Sequence, residues 1–383
     1  MAAVHCVIIG FGAFEVEKKT IYAYEDIRGE VHAVAVRNIN PYLVDAPNIF
    51  LENRSNPICS VPGIGIGSQP IDDGNFLFTT EERDEFLQHE PKAAKWFHRW
   101  IGSDEFLNGY ERWCLWLGDC PPNELRQMPD AMKRIEAVKR FRLNSKRSQT
   151  LKAAATPTHF ATELIPTAPY LLIPKVSSER RNFIPLGFMQ PDIFCSDLVF
   201  MLPHATLYHF GILSSTMHNA WMRTVCGRLE SRYRYSAGIV YNNFPWPELP
   251  SPAGRGIEGE GASGEHGTAS PSSPALPPAG EGSKQRAAVE AAAQAVLDAR
   301  AQFPQSSLAD LYDPLTMPPV LVKAHQTLDR AVDACYRKAA FTSDAQRVEF
   351  LFERYRQLTS LLPTEKKTPK QKRRLESNFR GGQ

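Results

Sequence analysis

The chain has 383 residues, of which 43% are hydrophobic and 22% charged, and its formal net charge is +2. This length predicts two or three domains with ample core, and the small net charge provides no global field for nucleic acid, so any basic binding surface must be local. The seven cysteines, an odd number without a C-x-x-C pair, argue against a disulfide framework or a zinc ribbon and fit a reducing cytoplasm.

The N-terminal segment predicts short strands. "VHCVII" at 4–9 and "TIYAY" at 20–24 are expected to form two strands joined by a glycine-containing turn, and a chain that begins inside a strand predicts further sequence upstream. Prolines break residues 31–60 into irregular or short-strand structure. The apolar start lacks the basic region of a signal peptide, and no apolar run of about 18 residues predicts a membrane span.

Helix signals dominate the next segment. Thr79 and Glu82 form a capping-box pattern that predicts a first helix. A proline at the start of 91–101 predicts a second helix, whereas the aromatic stretch at 109–117 is typical of a strand. The strongest helix prediction covers 129–148, where apolar residues recur at near-helical spacing.

The second half of the chain contains three segments with different sequence patterns. Five strands are predicted between 170 and 245, namely "YLLIP", "NFIPLGF", "DLVFML", "TLYHFGIL" and "AGIVYNNF", with one helix at about 215–226. The composition of 250–284, rich in Gly, Pro and Ser, predicts a disordered linker. Helices are then predicted at 285–302, 318–340 and 343–362, the last two from their apolar stripes, before a basic tail that is expected to be disordered.

A basic segment is the first candidate for function. Between residues 133 and 152 stand eight lysines and arginines against one acid, Glu136. Such density suits phosphate contacts, because neutralised phosphates release counterions, although a solvated helix face is an equally good alternative. The candidates for phosphate contact here are Lys139, Arg140, Arg142, Lys146 and Arg147.

A polar run between two apolar stretches is the second candidate. Arg can donate two hydrogen bonds to guanine, Asn can bind adenine, and Glu can accept from cytosine. A loop that carries all three on strands could read base edges, although an ordinary polar hairpin is the more common outcome for such a run. The candidates for base reading are Ser178, Glu179, Arg180, Arg181 and Asn182.

"GRLESRYRYS" at 227–236 is the third candidate. If the segment is a strand, Arg232 and Arg234 share one face, and Tyr233 and Tyr235 share the other. A cationic face over a packed face suits contact with a DNA backbone, but a salt-bridged edge strand would have the same pattern. The phosphate-contact candidates of this segment are Arg228, Arg232, Tyr233 and Arg234.

Two motif-like stretches predict no site. "GFGAF" at 10–14 lacks the third glycine and the following helix of a nucleotide-binding loop. "NPYL" at 40–43 has one proline where the Asn-Pro-Pro-aromatic motif of amino-methyltransferases has two, and no S-adenosylmethionine-binding glycine loop precedes it. No Ser/His/Asp set, zinc-protease motif or carboxylate pair stands out, so neither a catalytic residue nor a metal ligand is predicted.

Several long motifs resemble one known family. They include "INPYLVDAPNIFLENRSNPI", "YLLIPKVSSERRNFIPLGF", "SSTMHNAWMRTVCGRLESRYRYSAGIVYNNFPWP" and "LYDPLTMPPVLVKAHQTLDRAVDACY". In this order they are similar to the C-terminal half of the MmeI-like (type IIL) restriction-modification enzymes and the YeeA-like DNA adenine methyltransferases. In that family a nuclease, a helical spacer and an adenine-N6 methyltransferase domain precede a target recognition domain and a helical domain.

The resemblance implies an α+β fold, with a mixed recognition domain of strands and helices followed by a small all-α domain. The implied division is 1–55 for the hairpin remnant of a methyltransferase-like domain, 56–249 for the target recognition domain, 250–284 for the linker, 285–362 for the C-terminal helical domain and 363–383 for the tail. The nuclease motif, the glycine loop and the Asn-Pro-Pro-aromatic motif are absent from this sequence. No catalytic residue is therefore carried over, and no cofactor is expected in this chain, although S-adenosylmethionine is expected for the full-length family.

DNA recognition is what the resemblance implies for this chain. The expected partner is double-stranded DNA, read at a short asymmetric site through the major groove by a truncated module without a catalytic core. Glu230 and Arg232 stand where the family typically has Lys and Asp. The alternatives are the specificity subunit of a split methyltransferase, which needs a separate methyltransferase or nuclease polypeptide, and a non-catalytic interaction remnant. No membrane partner is expected, and the expected location is the cytoplasm, at the nucleoid.

Overall fold

The computed structural model describes residues 7–14, 16–24, 29–248 and 279–360. In these residues helices and small sheets are mixed, and helices alone make up the C-terminal part, so the predicted α+β class is confirmed. The strands are β1 (Lys19–Tyr24), β2 (Val31–Val36), β3 (Gly65–Ile66), β4 (Leu77–Phe78), β5 (Phe97–Ile101), β6 (Arg112–Leu115), β7 (Tyr170–Pro174), β8 (Val176–Ser177), β9 (Gly187–Met189), β10 (Ile193–Cys195), β11 (Val199–Pro203), β12 (Gly227–Leu229) and β13 (Arg232–Arg234).

The helices are α1 (Thr80–His89), α2 (Ser103–Asn108), α3 (Pro122–Leu125), α4 (Pro129–Leu143), α5 (Ser148–Ala153), α6 (Leu207–Ser214), α7 (Thr216–Val225), α8 (Ala279–Ala301), α9 (Leu308–Leu311), α10 (Pro319–Tyr336) and α11 (Asp344–Ser360). A 3₁₀ helix, Pro91–Trp96, precedes β5, and a π-helical turn, Ala237–Tyr241, follows β13. No helix among the described residues has the length and apolar content needed to cross a membrane.

The N-terminal hairpin differs from the prediction in its pairing. β1 pairs antiparallel with β2, with Tyr24 opposite Val31, and residues 7–9 carry no regular structure. The predicted strand is therefore not formed at 7–9, and 20–24 pairs instead with "VHAVAV", whose three valines favour a strand. Residues 4–6 lie outside the described part of the chain.

The sheet β10-β5-β6-β4 supports the first globular body. Its core combines aromatic residues of the strands with the apolar stripe of α4, including Ile135 and Val138. α1 begins with the predicted capping box: the Glu82 N–H donates to Thr79 Oγ1, and the Thr79 N–H donates to the Glu82 carboxylate at 2.8 Å. The sequence prediction for this helix is confirmed.

Two predictions for this body need correction. Residues 91–101 form the short 3₁₀ helix followed by strand β5, not one helix, because β5 pairs with β6 on one side and with β10 on the other. Partners from distant parts of the chain outweigh the local helix signal at 97–101. The predicted helix at 129–148 ends at Leu143, and α5 begins separately at Ser148.

A second body is built around the sheet β3-β11-β7-β9 and a bundle of α6, α7, α8, α10 and α11. One continuous hydrophobic core joins the sheet to the bundle, with the fully buried Leu171, Leu213, Trp221, Leu328 and Phe352 among its members. The helices after the linker therefore pack directly on the helices before it, although α7 ends at Val225 and α8 begins only at Ala279.

Two strand predictions in this body are wrong. "TLYHFGIL" forms α6, since its apolar residues are buried on all sides between α7 and α8, a pattern that fits a buried helix as well as a strand. α6 and α8 approach closely at Gly211, where an added Cβ would lie 2.8 Å from Val289. "AGIVYNNF" forms the π-helical turn, held by a hydrogen bond from Trp221 Nε1 to the Val240 carbonyl oxygen at 3.0 Å.

The predicted helices of the C-terminal part are confirmed, with Leu321, Leu328 and Val332 buried along α10. Helix α8 begins at Ala279, inside the segment 250–284 that was predicted as linker. The rest of that segment and the tail at 363–383 lie outside the described residues.

Candidate functional site

The structure brings two of the three candidate segments together in one small sheet. β13 pairs antiparallel with β12 on one side and with β8 on the other, where Arg234 lies opposite Val176. The candidate loop, Ser178–Asn182, follows β8 directly. The loop and the β12–β13 hairpin therefore form one surface, which we call the loop–hairpin surface (residues 175–182 and 227–235).

Side chains of β13 alternate as predicted. Arg232 and Arg234 are exposed, whereas Tyr233 and Tyr235 are buried. The Tyr235 hydroxyl lies 3.0 Å from Nε2 of His218, a buried residue of α7. Burial lowers the pKa of His218 to about 3, so the ring is neutral at pH 7. One face of the strand is thus anchored in the core, and the other presents cations to solvent.

Contacts within the hairpin orient its arginines. The Arg228 guanidinium lies 4.0 Å from the ring centroid of Tyr233 and donates to the Ser231 carbonyl oxygen at 3.1 Å. Arg228 is the cross-strand partner of Tyr233 and packs its guanidinium over that ring. At the two-residue turn, Glu230 has a positive φ of 57°, and its carboxylate pairs with Arg232 at 2.9 Å.

The candidate loop is a tight turn with its polar side chains outward. The N–H of Arg180 donates to Ser178 Oγ, and the N–H of Arg181 donates to the Ser178 carbonyl oxygen, both at 3.2 Å. Glu179, Arg180 and Asn182 are exposed, whereas Arg181 is half-buried. Burial lowers the pKa of Arg181, and the nearby carboxylate of Asp313 opposes that shift.

Four candidates of the basic segment lie on the first body, away from the small sheet. They are Lys139, Arg140, Lys146 and Arg147, at the end of α4 and in the turn before α5, and all four are exposed. The helix dipole favours cations at the C-terminal end of a helix, so this cluster stabilises α4 independently of any ligand. We call it the α4 corner.

Arg142 is a correction to the prediction, because its side chain is fully buried. Its guanidinium donates to the carbonyl oxygens of Pro70, Ile71, Ala153, Thr156 and His159 at distances between 2.8 and 3.3 Å. Arg142 therefore ties α4 to two loops and cannot contact a phosphate. Its spacing from Ile135 and Val138, which places it on the buried stripe of the helix, is the sequence signal that could have indicated this role.

Sequence reasoning missed Lys175, which precedes the loop. Its ammonium lies 5.0 Å from the ring centroid of Phe200, and its carbonyl oxygen accepts the N–H of Tyr235 at 2.8 Å. Burial lowers the pKa of Lys175, the nearby Asp197 carboxylate raises it, and the Arg234 cation lowers it further. Lys175 and Asp197 therefore extend the charged surface beside β13. The one sequence feature that could have indicated Lys175 is its position directly before the polar run.

Comparison with known proteins matches two parts of the chain. Residues 45–248 match the family model described as MmeI, target recognition domain, and residues 281–363 match MmeI, C-terminal domain. DNA methyltransferase A of Bacillus subtilis (strain 168) is 35% identical over 358 residues, which cover 94% of this chain and 36% of that protein. The structure of the type IIL restriction-modification enzyme MmeI in complex with DNA is similar with a TM-score of 0.78 and 44% identity, covering 91% of this chain and 42% of that one. The chain thus spans less than half the length of either relative.

Proposed function

The chain belongs to the MmeI family, and from this premise we propose that it is a module that recognises a specific sequence in double-stranded DNA. The observation that carries the proposal is the pairing of β8 with β13, because it joins a loop with base-reading side chains to a strand with exposed arginines. The MmeI structure in complex with DNA supports DNA as the partner. The proposed location is accordingly the cytoplasm, at the nucleoid.

The proposed division of labour follows exposure and chemistry. Ser178, Glu179, Arg180, Arg181 and Asn182 would read base edges, since this loop offers both donors and acceptors at the surface. Arg228, Arg232 and Arg234, together with the α4 corner, would contact phosphates, which hold the protein in register without carrying sequence information. Tyr233 would act through Arg228, which lies over its ring.

We propose no catalytic residue and no cofactor site in this chain. Its sequence carries neither the glycine loop nor the Asn-Pro-Pro-aromatic motif. Methyl transfer to a flipped base would therefore need those parts from another polypeptide or from a longer form of this protein. S-adenosylmethionine would be bound there.

A second candidate is the specificity subunit of a two-chain methyltransferase. The β1–β2 hairpin favours it, because Tyr22 and Val34 are 65% and 47% exposed and a two-stranded hairpin is marginally stable alone. A partner sheet could cover these side chains. Methylation of a selected duplex after mixing this chain with a polypeptide that carries the missing motifs would support this candidate, and no methylation with a partner that binds the chain would refute it.

Selection from a random pool of DNA duplexes tests the principal proposal. The purified chain would be equilibrated with the pool at about 50 and 200 mM salt, a range over which phosphate contacts weaken strongly. An enriched motif that survives the higher salt is the expected result. Binding without a motif would refute autonomous recognition, and no binding even at low salt would favour a protein-interaction role.

A further inference from the structure

The C-terminal helices contact the segment that directly follows the candidate loop. Phe183, the first residue after the candidate loop, stacks on the ring of His325 in α10, with ring centroids 4.0 Å apart and an interplanar angle of 18°. Arg300 of α8 donates to the carbonyl oxygen of Leu186 at 2.6 Å. Two helices that follow the linker therefore hold the segment by which the loop returns to the sheet.

A second bridge holds the end of the loop itself. Arg223 of α7 donates to the carbonyl oxygen of Asn182 at 2.8 Å and pairs with Asp344 at the start of α11 at 2.7 Å. The Ile184 N–H donates to Oδ1 of Asn219, another α7 residue, at 3.0 Å. The loop is thus held by α7, which in turn is tied to the C-terminal helices.

Asp313 connects the C-terminal helical segment to an arginine side chain of the loop. One of its carboxylate oxygens accepts the N–H of Leu315 at 2.9 Å, and the other lies 3.7 Å from Nη2 of Arg180. The preceding residue, Tyr312, is buried, and its hydroxyl accepts a hydrogen bond from Arg300 Nε at 2.7 Å. The carboxylate is therefore held by its own turn next to a buried residue, and it lies within ion-pair distance of Arg180.

We infer that the C-terminal helical segment positions the base-reading loop, with Asp313 as the positioning residue that orients the guanidinium group of Arg180. The inference rests on the proposed function. A partly exposed ion pair at this distance contributes little to stability, so removal of the carboxylate charge should leave the fold intact. A guanidinium that is already restrained loses less rotamer freedom when it binds a base edge.

The test compares Asp313→Asn with Asp298→Asn, which removes the same charge from an exposed position of α8. Each variant is titrated with the selected duplex and with duplexes that carry one base-pair substitution, and its thermal midpoint and salt dependence are measured. Asp313→Asn should lower discrimination at one base pair by about three- to tenfold, part of what a bidentate contact supplies. The thermal midpoint and the salt slope should stay at the wild-type values, and Asp298→Asn should behave as wild type throughout.

A double-mutant cycle separates positioning from a general effect of charge. In an Arg180→Ala background, Asp313→Asn should cause no further loss of discrimination, because its target is gone. Asp313→Glu, which keeps a carboxylate, should restore part of the loss. Unchanged discrimination in Asp313→Asn, or an effect that persists without Arg180, overturns the inference while the wild-type motif still stands. If the wild-type chain selects no motif, the proposed function fails and the inference falls with it.

Discussion

Tyr233 lies directly opposite Ser177 in the antiparallel pairing of β13 with β8. Both residues are buried, so the junction between the candidate loop and the arginine strand is part of the core. Because the loop begins at the next residue, Ser178, its position is set by a short stretch of strand pairing. Base-reading and phosphate-contacting groups carried in this way would keep their spacing on DNA.

The phosphate role predicts a loss of affinity that is independent of sequence. Arg147→Ala should weaken binding to all duplexes alike and reduce the salt slope by about 1, because one phosphate contact is lost. Arg232→Ala should act in the same direction but less, since Glu230 already neutralises that guanidinium. Equilibrium titrations at several salt concentrations measure both effects. Arg356→Ala, which removes an exposed cation of α11, is the control and should leave the slope unchanged.

Base reading predicts a loss of specificity instead. Arg180→Ala and Arg181→Ala should each relax selection at one base pair, by about 1–3 kcal/mol of discrimination. The effect of Arg181→Ala should be the larger, because its half-buried side chain is already partly ordered. Competition titrations with single-substituted duplexes measure this quantity. Equal losses on every duplex, as for Arg147→Ala, would contradict the proposed division of labour.

The buried hydrogen bonds of Arg142 predict that its substitution lowers the stability of the fold. Arg142→Ala should lower the free energy of unfolding by at least about 3 kcal/mol, because five carbonyl oxygens lose their donor inside the protein. Arg140→Ala, two residues away on the exposed side of α4, should change it by less than about 0.5 kcal/mol. Denaturant unfolding followed by circular dichroism compares the two variants. Similar stability of both would show that the carbonyl cluster does not depend on Arg142.

The buried carboxyl group of Asp329 predicts that the stability of the fold depends on pH. It accepts hydrogen bonds from the N–H and hydroxyl of Thr216 at 2.7 Å each, and burial raises its pKa to about 6 despite them. The folded state therefore binds a proton more tightly than the unfolded state, whose carboxyl has a pKa near 3.9. The resulting stability is fully present below about pH 4 and is lost as the pH rises through about 6.

The variant Asp329→Asn checks this dependence, since it keeps the shape of the side chain and cannot titrate. The difference in unfolding free energy between wild type and variant should shift in favour of wild type as the pH falls from 7 to 4. Denaturant unfolding at each pH measures the difference. Parallel curves for the two proteins would rule out Asp329 as the titrating group.

Much of the local structure could be predicted from the sequence. The capping box at Thr79, the apolar stripe of α10 and the alternation of arginine and tyrosine in β13 all depend on residues within a few positions of one another. The predictions that were wrong depend on distant partners. β5 is a strand because β6 and β10 pair with it, and α6 is a helix because α7 and α8 enclose it.

The sequence by itself determined the residue types of the candidate site, and the long motifs that resemble the MmeI family. Only the tertiary structure decided which cations face solvent and which groups share a surface. Arg140 and Arg142 stand two residues apart on one helix, yet one is exposed and the other is buried among carbonyl oxygens from residues as distant as Pro70. Likewise, Asp313 forms an ion pair with Arg180 only because helices after the linker pack on helices before it. Charge is a local property of a residue, whereas burial and contact depend on which distant segments pack around it.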